Sequence, residues 1–124
     1  MSNSELSIDI KSEKQGSALI YRLRGSLDLA TSPTLRAALV QAASEGNQEI
    51  IVDLTLLEFL DSTGLGALIG AHRRAIENAG SLRIIVGDGQ IARLLNITGL
   101  VRVLNVYRSL NDALKDEARL TATV

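Results

Sequence analysis

The chain has no cysteine, which excludes disulfides, thiolate nucleophiles and sulfur-ligated metals. Aromatic residues are nearly absent: among 124 residues there are one Phe, two Tyr and no Trp, so the core must be built from Leu, Ile, Val and Ala. There is no excess of either charge. Thirteen basic residues stand against fourteen acidic ones, for a net charge of −1. The basic footprint of a nucleic-acid binder is missing, and Arg73-Arg74 reads as a solvated helix face. No apolar run approaches the roughly 18 residues of a membrane span, so no membrane partner is expected. Met1-Ser2-Asn3-Ser4-Glu5 lacks the charged leader and apolar core of a secretory signal. The expectation is a soluble cytoplasmic protein.

Chemistry has few places to reside. His72 is the only histidine. One His without Cys does not make a metal centre, so no metal and no cofactor are expected. A Ser-His-Asp arrangement would have to join His72 to Ser62, and ten residues of helix place them roughly 15 Å apart. His72 also falls in an apolar stripe, which suits a core histidine. There is no Gly-x-x-x-x-Gly-Lys-Ser/Thr loop, so a P-loop phosphotransferase is excluded. Gly87-Asp88-Gly89-Gln90-Ile91-Ala92 fits the dinucleotide fingerprint after a strand and before a helix. That helix is short and no acidic residue follows at the required place, so a tight turn accounts for it. A nucleotide-binding enzyme using this turn is the remaining enzymatic alternative.

The informative stretch is Glu58-Phe59-Leu60-Asp61-Ser62-Thr63-Gly64-Leu65-Gly66. An apolar segment meets an acidic residue, two hydroxyls and two glycines, and a helical pattern follows. Leu65, Leu68, Ile69, His72, Ile76 and Ala79 share one helix face. Ser62 therefore belongs to the first turn of a helix, where backbone N–H groups lack intrahelical partners and the macrodipole is positive. A phosphate would meet favourable electrostatics there. Gly66, Ala67, Gly70 and Arg74 point away from the stripe. Glycine inside a helix costs up to about 1 kcal/mol relative to alanine. Two on one face imply either close packing against a loop or a flat surface on which a partner lands.

The remaining pattern gives an α/β fold. Strands are expected at Leu6 to Ile10, Ala18 to Arg24 with Gly25 as terminator, Glu49 to Leu54, Leu82 to Val86 and Leu100 to Val106. Lys11 to Gly16 reads as a turn. Helices are expected from Ser32-Pro33, with Ser32 as N-cap, to Gly46; from Ser62 to Ala79, ended by Gly80; from Gln90 to Ile97; and from Leu110 to Leu120, capped by Ser109. The order β-β-α-β-α-β-α-β-α implies a mixed, mostly parallel sheet of about five strands with four helices and an N-terminal β-hairpin edge. Residues 1–5 are expected as a disordered tail, 6–118 as a single domain and 119–124 as a C-terminal tail.

The chain resembles the STAS family, and within it the bacterial anti-sigma-factor antagonists, over about residues 6 to 118. The resemblance rests on Gly25-Ser26-Leu27-Asp28, on Asp61-Ser62-Thr63-Gly64-Leu65-Gly66, on Thr98-Gly99-Leu100 and on the order of elements. Gly87-Asp88-Gly89-Gln90 departs from the Ser-Pro often found before the third helix, and Thr63 stands where a second Ser is common. The resemblance implies a STAS fold and a partner switch. The unphosphorylated protein would bind an anti-sigma factor that is also a serine kinase, freeing the sigma factor. Phosphorylation at Ser62 would release the partner, and a PPM-type serine phosphatase would reset the switch. The implied partner surface is Gly25, Ser26, Asp28, Asp61, Ser62, Thr63, Gly64, Leu65, Gly66 and Gly70, with Asp28 beside Ser62 on its rim. Two further readings remain: a STAS adaptor or scaffold subunit in a signalling or lipid-transport complex, and simple helix capping by Asp61, Ser62 or Thr63.

Overall fold

The computed structural model describes residues 7–121. The tail expected at residues 1–5, and Leu6 of the first expected strand, lie outside the described residues. Five strands form one sheet in the order β1-β2-β3-β4-β5: β1 Ile8–Gln15, β2 Ala18–Leu27, β3 Glu49–Leu60, β4 Ser81–Ile85 and β5 Asn105–Tyr107. β1 pairs antiparallel with β2, and every later pairing is parallel. The helices are α1 Ser32–Ser44, α2 Ser62–Glu77, α3 Gln90–Ile97 and α4 Leu110–Lys115. The α/β class, the five strands, the four helices and the hairpin edge are as expected.

The main core is aliphatic and joins Leu35 and Leu39 of α1, Leu68 and Ala71 of α2, and Leu95 of α3 to Leu23, Leu27, Val52, Leu54 and Ile84 of the sheet. The smaller core groups Ala18, Ile20, Ile51, Ile85 and Tyr107 with Ala113 of α4. With helices packed on the sheet, the start of the central strand β3 is buried on both faces, and Ile50, Ile51 and Val52 read as one continuous apolar run.

Several boundaries differ from expectation. β1 continues through the polar run Lys11 to Gln15, since an edge strand with exposed side chains needs no apolar alternation; the turn is confined to Gly16-Ser17. Gly25 lies inside β2. It has φ +105°, and a Cβ there would sit 2.4 Å from the Ser7 carbonyl oxygen, so it permits the close approach of the chain entering β1; the extra residues of the bulged β2–β3 register lie on β3. Thr31, in place of Ser32, is the N-cap of α1; the Ser32 hydroxyl donates to the Asp28 carbonyl oxygen at 2.6 Å. β3 runs on past Leu54 to Leu60, paired with β2 through the bulged register. Leu100–Arg102 forms a short 3-10 helix after left-handed Gly99, leaving only Asn105–Tyr107 as strand. α4 stops at Lys115, because Asp116 is left-handed at φ +54°. Ser109 caps it as expected, accepting from the Asp112 N–H at 3.0 Å. Of the expected C-terminal tail, Leu120 is held on the body: its N–H donates to the Val106 carbonyl oxygen at 2.8 Å, and its side chain packs on the main core. Among the described residues, no helix is long and apolar enough to cross a membrane.

Candidate functional site

The site forms where β3 ends and α2 begins. Asp61 is the N-cap of α2, with extended backbone, and Ser62 is the first helical residue. The Asp61 carboxylate bridges two elements. Oδ1 accepts from the Gly64 N–H at 2.9 Å, and Oδ2 accepts from the Leu29 N–H, in the turn between β2 and α1, at 3.2 Å. The Asp61 N–H in turn donates to the Leu27 carbonyl oxygen at 3.2 Å. Capping is thus performed by Asp61. Ser62 and Thr63 are exposed, and within the described residues neither hydroxyl makes a hydrogen bond.

Asp28 departs from its expected place on the rim. It is only 7% exposed. Its Oδ1 accepts from the N–H groups of Ala30 and Thr31 at 3.0 Å and from the Thr31 hydroxyl at 3.1 Å. The Thr31 hydroxyl also donates to the Ser26 carbonyl oxygen at 2.7 Å. Asp28 therefore builds the β2–α1 turn, a carboxylate folding the backbone that follows it into place. Ser26 is buried as well. Gly64 is buried for a steric reason: a Cβ would fall 2.5 Å from the Leu27 carbonyl oxygen and 2.8 Å from Leu60 Cδ1. Gly25, Ser26, Asp28 and Gly64 hold the surface from below. Asp61, Leu65 and Gly70 are half-buried, and Ser62, Thr63 and Gly66 form its exposed part.

Among the described residues, nothing that packs on Gly66 or Gly70 of α2 requires a glycine there. A Cβ on Gly66 would meet nothing within 4 Å, and one on Gly70 would meet only Arg74 Nη1 at 3.4 Å. Their face is open, which favours the landing surface over close packing. Leu29 was not anticipated as part of this site. Its signal in the sequence is an apolar residue inside a polar turn, Asp28-Leu29-Ala30-Thr31.

His72 lies on the same helix but belongs to the interior. It is 8% exposed, its buried Nδ1 has no hydrogen-bond partner among the described residues, and burial lowers its pKa. Ile76, expected on the apolar stripe, is 59% exposed, and Ala75 beside it is the last-turn residue that packs on the main core. Among the described residues no three His, Asp or Glu side chains converge as a metal site requires. At the Gly87-Asp88-Gly89 turn, Asp88 pairs with Arg108, and a Cβ on either glycine would meet open space. These glycines relieve no crowding, as expected of a plain turn.

A family model describing the STAS domain matches residues 9–113. The chain is 30% identical over 112 residues to the anti-sigma F factor antagonist of Paenibacillus polymyxa, covering 90% of this chain and 96% of the relative. It is 35% identical over 85 residues to the anti-sigma-B factor antagonist of Staphylococcus epidermidis, covering 68% of this chain and 79% of the relative. The crystal structure of an anti-sigma factor antagonist from Mycobacterium paratuberculosis superposes with a TM-score of 0.82 at 25% identity, covering 94% of this chain and 97% of that one.

Proposed function

Since the chain belongs to the STAS domain family, we propose that it is an anti-sigma-factor antagonist whose binding is switched by phosphorylation of Ser62. In this reading it is a binding module and a kinase substrate rather than an enzyme. The unphosphorylated form binds an anti-sigma factor serine kinase and frees the sigma factor. The phosphorylated form lets the kinase go, and a PPM-type serine phosphatase restores the first state. The names of the relatives from P. polymyxa and S. epidermidis support the antagonist role. The observation that carries the switch is the division of labour at the start of α2: Asp61 caps the helix, so the exposed Ser62 hydroxyl is free of any structural task.

The electrostatics follow from that division. A phosphate brings about −1.5 to −2 charge. At the N-terminus of α2 the dipole stabilises it by about 0.3–1 kcal/mol. On a free surface it is solvated at little cost. Under a partner it must be stripped of water beside the Asp61 carboxylate, at a cost of several kcal/mol unless cations match it. A penalty of about 3 kcal/mol weakens binding more than a hundredfold. The buried Asp28 contributes to the turn and not to an exposed negative rim, so the phosphate supplies most of the change.

The test is to incubate the protein with candidate histidine-kinase-like serine kinases and ATP, and to locate the phosphate by mass spectrometry. Modification is expected at Ser62. Ser62→Ala is expected to retain binding, and Ser62→Asp and Ser62→Glu to weaken it at least tenfold. Modification only at another residue, or acidic variants that bind like the parent, would overturn the switch.

A further inference from the structure

We propose that Leu29 is the apolar anchor of the Ser62 surface, inserted into an apolar pocket of the anti-sigma partner. This rests on the reading that the Ser62 face meets such a partner. A singly exposed apolar residue is ordinary and signals nothing by itself. Leu29 is distinguished by its position and its support. It is 73% exposed, and its N–H is bonded to Oδ2 of Asp61, the residue that precedes Ser62. The turn beneath it is fixed at every step. Asp28 Oδ1 holds the N–H groups of Ala30 and Thr31, the Thr31 hydroxyl holds the Ser26 carbonyl, and the Ser32 hydroxyl holds the Asp28 carbonyl. Among the described residues, the Leu29 side chain belongs to neither hydrophobic core.

A large apolar side chain on a locked turn loses little conformational freedom when it docks. Such residues, once desolvated at the centre of an interface, carry a large share of its affinity. On the strand that leads to Asp61, Phe59 is also exposed, at 52%. Gly66 leaves the neighbouring helix face flat. One carboxylate, that of Asp61, ties the anchor to the switch: it fixes Leu29 through one oxygen and the start of α2 through the other.

The test uses the kinase recovered in the Ser62 assay, loaded with ADP so that no transfer occurs, and titration calorimetry with the full chain. Leu29→Ala and Leu29→Gln are expected to weaken binding about tenfold or more with an unchanged thermal midpoint. With ATP, they are expected to raise the KM for phosphorylation and leave kcat unchanged. Ile97→Ala serves as the control, since Ile97 is equally exposed, at 77%, but ends α3 at the opposite end of the sheet; its affinity is expected to match the parent. If both Leu29 variants bind within twofold of the parent while Ser62→Glu does not bind, the anchor is wrong and the switch stands. If Leu29→Ala loses tenfold while Ser62→Glu binds like the parent, the switch is wrong and the anchor stands. Equal losses for Leu29→Ala and Ile97→Ala would also overturn the anchor.

Discussion

Single residues show how much a side chain's type leaves undecided until its surroundings are known. Asp28 and Asp61 are both acidic residues beside turns, and the family resemblance implies both for the partner surface. Burial separates them: Asp28 is enclosed by the turn it organises, whereas Asp61 reaches between two elements. Nothing local to Gly-Ser-Leu-Asp reports that enclosure, because it depends on Thr31 folding back to Ser26. His72 was legible from its place in the stripe, and its consequence is a pH dependence. Burial lowers its pKa below the usual 6.5. As pH falls through that value, the unfolded chain takes up a proton that the folded chain refuses. The unfolded state then binds more protons, and stability falls. Between pH 7.5 and 5.5 the thermal midpoint is expected to decline, and His72→Gln is expected to flatten that decline. An unchanged slope in the variant would show that other groups control stability in this window.

At the scale of elements, periodicity located the helices well and their ends less well. α2 was read correctly from Ser62 onward because Asp61, Gly64 and the 3-4 spacing act together. Its C-terminus differs from expectation. The helix stops at Glu77, and the left-handed residue is Ala79, at φ +59°, while the Gly80 N–H donates back to the Ala75 carbonyl oxygen at 2.7 Å. This is the Schellman arrangement with alanine where glycine is usual. Gly80 is required for another reason: a Cβ there would lie 2.4 Å from the Gln48 carbonyl oxygen. An L-residue in the left-handed region costs about 1–2 kcal/mol, part of which glycine returns through the entropy of the unfolded chain. Ala79→Gly is therefore expected to stabilise the protein by about 0.5–1 kcal/mol, measured by urea denaturation with an unchanged m-value. The strands were harder to bound. β3 gained six residues because Thr55 to Leu60 follow a bulge, which breaks the period-2 pattern, and Leu100 to Leu104 look strand-like only until Gly99 turns them into a 3-10 helix.

At the scale of the whole molecule, the proposed phosphate on Ser62 has no need to refold the chain. Residue order alone conveyed the parallel sheet, since strands alternating with helices leave few other topologies. In that topology Ser62 stands at the carboxyl end of β3, on the exposed first turn of a helix whose buried residues, Gly64, Leu68, Ala71 and His72, all face inward. Phosphorylation at Ser62 breaks no hydrogen bond among the described residues and displaces no core side chain. The helix dipole adds at most about 1 kcal/mol of stability, and the neighbouring Asp61 carboxylate opposes it. For a chain of this size the thermal midpoint is expected to move by less than about 4 °C in either direction. Amide exchange in β2, β3 and β4 is expected to be the same with and without the phosphate, while partner affinity changes more than a hundredfold. Lost protection across those strands on phosphorylation would mean that the switch works by loosening the fold, and that exclusion of charge at the interface is the wrong account.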